Sequence, residues 1–467
     1  MSDMAFFRCI QPRCAETLDL SESRSACPAC GSLLDVVYDW GRLPVPKDLR
    51  FFAERWANRG NSIDFSGVWR FRELLPIADV QELVTIGEGQ TILQAADVTA
   101  MELPLAPGRL FLQYEGLNPS GSFKDNGMAA AFTMARRLGR QTVACASTGN
   151  TSASMAMFAS LTRLTDARPM RAIVFIGAGK IALGKLSQAL DAGALTLQIE
   201  GDFDACMRRI TEAADRLGLY VMNSINPFRL EGQKTIMYRV LEALAWEPPD
   251  WIVAPGGNLG NASAFGKAFG ELAHLGLTRR TPRLAVVNAA GANTLSELVN
   301  RRGLRWQDGD WNRGAADAWY AEMQAAGREA TTIATAIEIA RPVNLPKALR
   351  ALALMDGITC EVTDDEILDE KARIGRHGFG CEPASAAGVA GLRKLLASGQ
   401  IDRSARVVCI LTGNALKDPS ATVTYHTGIA LAQDEGASRG RIGWLGNRPV
   451  RVADDLDAIC AAIESQR

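Results

Sequence analysis

One lysine stands out for its setting. Lys124 lies in Leu117-Asn-Pro-Ser-Gly-Ser-Phe-Lys124-Asp-Asn-Gly127, after a turn-forming run and before the helix-compatible Met128-Ala-Ala-Ala-Phe-Thr-Met-Ala. The pattern puts its amine at a helix start, where the dipole and the free N–H groups disfavour a positive charge. A lysine pushed toward neutrality in a cleft is a nucleophile able to hold an aldehyde cofactor as a Schiff base. A solvated lysine closing a loop is the simpler reading of one such residue, so the rest of the chain has to decide.

A second set of reactive side chains lies near the N-terminus. Cys9 and Cys14 enclose four residues, and Cys27-Pro-Ala-Cys30-Gly31 supplies a second pair. Two such pairs joined by a short loop predict a four-thiolate tetrahedral zinc ribbon formed by Cys9, Cys14, Cys27 and Cys30. Without a metal, a segment of roughly 40 residues has too little core to order itself. Ala15 stands where a glycine would ease the first knuckle. The cysteines at 145, 206, 360, 381, 409 and 460 read as small hydrophobes. Three histidines, at 274, 377 and 426, give no His-rich catalytic metal site.

These groups need a scaffold. The chain has 467 residues, 47% hydrophobic and 22% charged, which suits two or three units with sizeable cores. Lysine and arginine number 51 against 52 acids, so net charge −1 leaves no footprint for nucleic acid or membrane. No apolar run nears the roughly 20 residues of a membrane span. The N-terminus has no signal-peptide pattern, and ten cysteines without one point to the reducing cytoplasm.

Beyond residue 40, short apolar runs alternate with helical patterns. Strands are predicted at 110–114, 142–146, 171–176, 194–199, 219–222, 251–254, 283–288 and 406–411, with helices such as 151–164 and 203–217 between them. Apolar strands alternating with helices imply mostly parallel, doubly wound α/β sheets covered on both faces. In such sheets ligands sit at the C-terminal ends of strands. Three polar loops occupy those ends: 146–152, 255–261 and 412–418. Gly256–Asn261 suits a phosphate best, because its glycines allow close backbone approach before a helix N-terminus. The run Gly179–Lys185 has P-loop spacing but carries Leu186 where Mg²⁺ needs a hydroxyl, and reads as a helix start. Residues 301–330 read as a surface excursion.

Together these residues resemble the fold-type II pyridoxal-phosphate enzymes, and in detail the threonine synthase family. The resemblance runs from about Gly87 to Pro419. It is carried by Gly87-Glu-Gly-Gln-Thr, Asn118-Pro-Ser-Gly-Ser-Phe-Lys-Asp, Ala146-Ser-Thr-Gly-Asn-Thr-Ser, Asn223-Ser-Ile-Asn-Pro-Phe-Arg-Leu-Glu-Gly-Gln-Lys-Thr, Gly257-Asn-Leu-Gly-Asn, Pro342-Val-Asn and Glu382-Pro-Ala-Ser-Ala-Ala. The cysteine-rich prefix is similar to the zinc ribbon of some members. The resemblance implies pyridoxal 5'-phosphate held by Lys124, with Asn150 on its phenolic oxygen and Gly257, Asn258, Leu259, Gly260 and Asn261 around its phosphate. Thr412 would face the pyridine nitrogen, where a neutral hydroxyl leaves that nitrogen largely unprotonated. Ser147, Thr151, Asn223, Ser224 and Arg229 would contact the phosphate and carboxylate of the substrate.

The reaction implied is conversion of O-phospho-L-homoserine and water to L-threonine and phosphate. Relatives with the same cofactor act on other amino acids, as cysteate synthase and the threonine/serine dehydratases do. A non-catalytic zinc-ribbon interaction protein on an enzyme scaffold is a third reading. The family pattern is broken at Asn414-Ala415, usually His-Gly, at Ile92, usually proline, and at Asn126, usually arginine. Expected units are an arm at 1–40, a large cofactor domain at 41–110 and 235–430, a small domain at 111–234 carrying Lys124 and Asn150, and a tail at 431–467. The expected working form is a homodimer acting on a small-molecule substrate.

Overall fold

The strand Trp251–Pro255 is buried along its whole length, and the alternation of its side chains explains the layers around it. Ile252 and Ala254 join one core with Phe265, Phe269 and Leu349. Trp251 and Val253 join another with Val389, Leu392 and Leu396. Successive residues of a strand point to opposite faces, so the helices Gly260–His274 and Leu345–Leu354 cover one side and Asp364–Arg376 and Pro383–Ala397 the other. The computed structural model describes residues 4–465 except 167, 178–182, 201–208, 211, 215 and 430–441.

Three sheets organise those residues. A small antiparallel sheet pairs β1 (Ala5–Cys9) with β2 (Thr17–Asp19) and β3 (Leu34–Tyr38). The largest sheet has the order β12-β11-β10-β13-β5-β4. Its members are β4 (Ile92–Ala95), β5 (Leu110–Tyr114), β10 (Trp251–Pro255), β11 (Arg283–Ala289), β12 (Ile358–Val362) and β13 (Val407–Leu411). Every neighbouring pair in it is parallel except β4 with β5. A four-stranded parallel sheet, β8-β7-β6-β9, is built from β6 (Thr142–Ala146), β7 (Arg171–Gly177), β8 (Leu195–Ile199) and β9 (Tyr220–Val221).

The sheets place one division differently from the sequence reading. Leu110–Tyr114 pairs with Val407–Leu411 in the large sheet, so the small sheet begins at Thr142 rather than at 111. Strands β4 and β12 were not foreseen. The segment 301–330 holds the helix Arg313–Ala325, whose Trp319 is buried. Gly309 of the same segment lies so near the arm that an added Cβ would be 2.0 Å from Pro12 Cδ. The P-loop-like run and the helix expected at 203–217 lie partly outside the described residues. The described part of the first enters the helix Leu183–Asp191. No helix among the described residues is long and apolar enough to cross a membrane.

The arm is riveted to the body. Phe7 packs on Phe228 with ring centroids 5.3 Å apart. Asp35 binds Lys347 at 2.9 Å and Arg350 at 2.5 Å, and Lys347 also donates to the Leu34 carbonyl. Tyr38 donates to Glu231, which is bridged by Lys234 at 2.7 Å and by Lys267. Lys234 also binds Glu271 at 2.6 Å. Buried charges persist only when so compensated. The network ties β3 to the helices Pro227–Ala243 and Gly260–His274, both of which start at the cleft described next.

Candidate active site

Lys124 is the first residue of the helix Lys124–Arg137, as its sequence predicts. Its amine lies 4.1 Å from the centroid of the Phe123 ring and has no hydrogen-bond partner among the described residues. Burial, and secondarily the Arg229 guanidinium, lower it to about 7 against the pull of Glu382. Near pH 7 a large share of this amine is therefore free base, the form that attacks a carbonyl.

Loops from both larger sheets converge on the lysine. Ser122, on the turn before it, bridges to Gly413 after β13, and the Phe123 N–H donates to the Thr412 carbonyl. Asn150 opens the helix Asn150–Thr165 just past β6. Its Nδ2 donates to Glu382 Oε2 at 2.9 Å, and Thr412 Oγ1 donates to Glu382 Oε1 at 3.0 Å. Asn150, Glu382 and Thr412 thus form one buried chain across the two sheets.

The Gly256–Asn261 loop follows β10 as expected and leads into the helix Gly260–His274. Leu259 takes the left-handed conformation with φ 64°. A Cβ on Gly257 would lie 2.9 Å from the Ile337 Cα, so only glycine allows this loop its course. Asn344 fastens the loop from the side. Its N–H donates to the Asn258 carbonyl at 3.3 Å and its Nδ2 to the Ser224 carbonyl at 3.1 Å.

The residues carried over as substrate contacts divide into three. Ser147 and Ser224 are half-buried on loops, and Thr151 is half-buried in the first turn of the helix Asn150–Thr165. Asn223 spends its carbonyl and one N–H on Ala146, both at 3.0 Å, and so welds its loop to the end of β6. Arg229 is 1% exposed, with Nη1 on the Met222 carbonyl at 2.7 Å and a buried Nε lacking a partner. Asn226 caps its helix, and Pro227 occupies the first turn. No carboxylate pairs with this guanidinium among the described residues, and burial lowers it to about 10.

The site fits the cofactor's needs in its donor set. Lys124 is a poised amine. Ser122 Oγ, a hydroxyl able to donate, is buried without a partner. The glycine loop offers a helix N-terminus of the kind that binds phosphate. The sequence reading gave no role to Glu382 or Asn344. An acid before proline at a helix start in an apolar stretch was the available signal for the first. Asn414, one of the departures, donates to the Tyr114 hydroxyl at 3.1 Å, and its N–H to the Gly121 carbonyl. Asn126, another, donates to Glu115 at 2.8 Å, and Glu115 is paired with Arg239 at 2.7 Å.

The four arm cysteines also converge. Their sulfurs all lie within 4.8 Å of one another, with Cys9 to Cys30 at 3.4 Å and Cys14 to Cys27 at 3.7 Å. Tetrahedral thiolates at about 2.3 Å from zinc stand about 3.8 Å apart, so the set fits such an ion. Ala15 takes φ 48° and Gly31 φ 70°, so the first knuckle adopts the left-handed turn without glycine.

Residues 84–413 match the family described as "Pyridoxal-phosphate dependent enzyme". The chain is 40% identical over 417 residues to the threonine synthase of Methanocaldococcus jannaschii, covering 89% of this chain and 94% of that one. It is 38% identical over 421 residues to the threonine synthase of Methanosarcina acetivorans, covering 90% and 94% respectively. Among solved structures it resembles threonine synthase from Escherichia coli with TM-score 0.61 at 19% identity, over 99% of this chain and 100% of that one, a likeness of fold.

Proposed function

The chain belongs to the threonine synthases within the pyridoxal-phosphate dependent enzymes, and from that premise we propose that it converts O-phospho-L-homoserine and water to L-threonine and phosphate. The observation that carries the reading is the Lys124 amine, lowered to about 7 in a cleft that also holds an unpaired buried guanidinium. We assign cofactor binding to Lys124, Asn150, Gly257, Asn258, Leu259, Gly260, Asn261 and Thr412. Pyridoxal phosphate, when bound, supplies the electron sink that makes protons next to the amino group removable.

The chain's own residues do the rest. Lys124 on its flexible four-carbon stem takes protons from Cα and Cβ of the substrate and returns them to Cγ, which becomes the methyl group, and to Cα, and a base near neutrality suits both directions. Arg229 draws the substrate anion with charge-assisted N–H donors, one of which, Nε, is left unmatched by protein. Ser147, Thr151 and Ser224 add neutral hydrogen bonds, while Asn223 holds their loop to β6. Departure of phosphate at Cγ is followed by addition of water at Cβ.

We assign the Cys9, Cys14, Cys27 and Cys30 cluster to structural zinc, supported by the sulfur spacing. Free cysteines throughout the described residues support a reducing, cytoplasmic setting. A homodimer is the form we expect, to be read by light scattering. The function is tested by incubating holoenzyme with O-phosphohomoserine, O-phosphoserine or threonine. Threonine and phosphate from the first alone are expected; a keto acid from threonine at a higher rate would replace this reading with a dehydratase.

A further inference from the structure

Lys417 ends the short turn Ala415–Lys417 that follows β13, and its stem lies on the loop that delivers Lys124. Gly121 of that loop takes φ 83°, and a Cβ on it would stand 3.3 Å from Lys417 Cδ. The amine reaches the Ser120 carbonyl at 3.1 Å and also donates to Gln188 Oε1. Gln188 Nε2 donates to the same Ser120 carbonyl at 3.2 Å. These bonds close a triangle whose corners are an amine, an amide and one backbone oxygen. Both lone pairs of that oxygen are in use. Burial lowers the Lys417 amine, and Glu382 and Asp125 oppose the shift, yet the triangle needs neither state, because a lysine nitrogen donates whether charged or neutral.

Ser120 is held as firmly on its other side. Its N–H donates to Asp125 Oδ2 at 2.7 Å and its Oγ to Asp125 Oδ1 at 2.6 Å. Asp125 follows Lys124 in the first turn of their helix and also accepts from Ser154 Oγ, on the helix Asn150–Thr165, at 2.5 Å. The corners of the triangle come from different parts of the fold. Lys417 follows a strand of the large sheet. Gln188 lies on the helix Leu183–Asp191, whose Leu186 and Ala189 share a core with Met155 and Ala159 of the Asn150–Thr165 helix. One carbonyl thus transmits the placement of both units to the residue that opens the Lys124 helix.

We propose that Lys417 is a positioning residue for Lys124: with Gln188 it grips the Ser120 carbonyl and so fixes where the Lys124 amine meets the substrate. It acts through the loop rather than on the reacting atoms. The inference rests on the proposed reaction and on Lys124 being the lysine that holds the cofactor. One amine that serves several neighbouring carbons must be placed closely, and a misplacement near 1 Å can cost about a hundredfold in rate. The clamp is made by side chains of two units, so the loop keeps its register only when both are in place.

The test compares wild type with Lys417→Met, Gln188→Met and the double variant. In apoprotein, deuterium exchange of backbone amides is followed in peptides spanning 118–127, where the Gly121 N–H donates to the Asn118 carbonyl at 2.7 Å and the Phe123 N–H to the Thr412 carbonyl at 2.9 Å. In holoenzyme, kcat and KM are measured with O-phosphohomoserine. Each single variant should exchange faster over 118–127 and lose about tenfold to a hundredfold in kcat, with KM changed much less. The double variant should lose no more than the worse single one, since the same triangle is broken in each. Lys417→Arg, which can donate to both oxygens, should recover most of kcat. Wild-type exchange or wild-type kcat in a single variant overturns the proposal, as do losses that multiply in the double variant or an arginine no better than methionine. If a methionine variant fails to fold, Gln188→Asn, one methylene short of both partners, is judged on the same exchange and kcat. Borohydride reduction and peptide mapping in wild type check separately that the cofactor sits on Lys124, and the exchange measurement needs no substrate, so failure of the underlying assignments is distinguished from failure of this inference.

Discussion

Arg229 and Lys124 are two cations held within reach of each other in a buried site, and the guanidinium is the second cause, after burial, of an amine lowered to about 7. A like charge beside a buried lysine favours the neutral amine and an arriving anion, against the opposing pull of Glu382. Arg229→Ala should therefore raise the Lys124 pKa, though not to the ordinary lysine value, because burial remains. The pH dependence of Lys124 acylation in apoprotein reads this. With the phosphorylated substrate, kcat/KM should fall by an amount equivalent to about 2–4 kcal/mol. A phosphate-free amino acid should suffer much less. Equal losses for both would show that the arginine holds the carboxylate or the fold.

Lys124 also sets a pH signature on apoprotein stability. Its folded pKa of about 7 lies below the unfolded value near 10.5. The unfolded chain binds more protons between those values, so the lysine penalises folding fully below about pH 7 and progressively less up to about pH 10.5. Lys124→Met should stabilise the apoprotein by about 2–4 kcal/mol at pH 6, with the gain fading as pH rises to 10. Urea melts at several pH values check it; a pH-independent difference would mean that packing, not charge, is responsible.

Asp35 should be among the costliest charges to remove from the arm. Asp35→Asn leaves Lys347, whose side chain is 4% exposed, without its carboxylate. Loss of one member of a buried pair costs about 3–5 kcal/mol, which thermal unfolding would show. Lys347 and Arg350 hold the Asp35 carboxyl well below the usual carboxylate range despite its burial. Its contribution is present above about pH 4 and is lost as pH falls toward that depressed value, so mutant and wild type should converge in acid.

Gly232 meets the Lys124 helix backbone to backbone. A Cβ there would lie 1.8 Å from the Asn126 carbonyl oxygen and 2.9 Å from the Gly127 Cα. Gly232→Ala should cost about 3 kcal/mol and, by displacing the helix that begins at Lys124, reduce cofactor occupancy. Denaturant midpoints and the cofactor-to-protein ratio are the measurements. Wild-type values in both would remove the claim that this contact locates the lysine.

Cys30→Ser should release the metal of the arm, lowering zinc from one per chain to none and lowering the melting temperature, with cofactor occupancy kept. Elemental analysis and absorbance on the same sample decide. A wild type free of zinc would end the assignment.

Much of this was legible because local signals agreed. Asn118–Lys124 combines turn residues, a helix start and an apolar helix, and Lys124 indeed opens that helix. Gly256–Gly260 betrays its close-packed course through its glycines. The strand Ile358–Val362 was hidden, being half-buried and mixed in polarity, and Ile92–Ala95 is mostly exposed. Asn223 was read as a ligand contact because a side-chain amide looks the same in either role; only its bonds to Ala146 show how much of it the loop uses. Glu382 gains meaning from Asn150 and Thr412, which no local pattern connects to it.

The pairing of the Leu34–Tyr38 strand with the body spans about two thirds of the chain, with Lys347 lying 313 residues beyond the Leu34 carbonyl it binds. At about 5–20 residues per second, a ribosome needs roughly 15–60 s to make that interval. Asp35 has no body partner until Lys347 and Arg350 are made, and Phe7 none until Phe228, while Cys9, Cys14, Cys27 and Cys30 are already all synthesised. The nascent arm can therefore gather its four thiols long before the surface that receives it exists. Assembly then ends with a prefabricated module closing onto a finished enzyme.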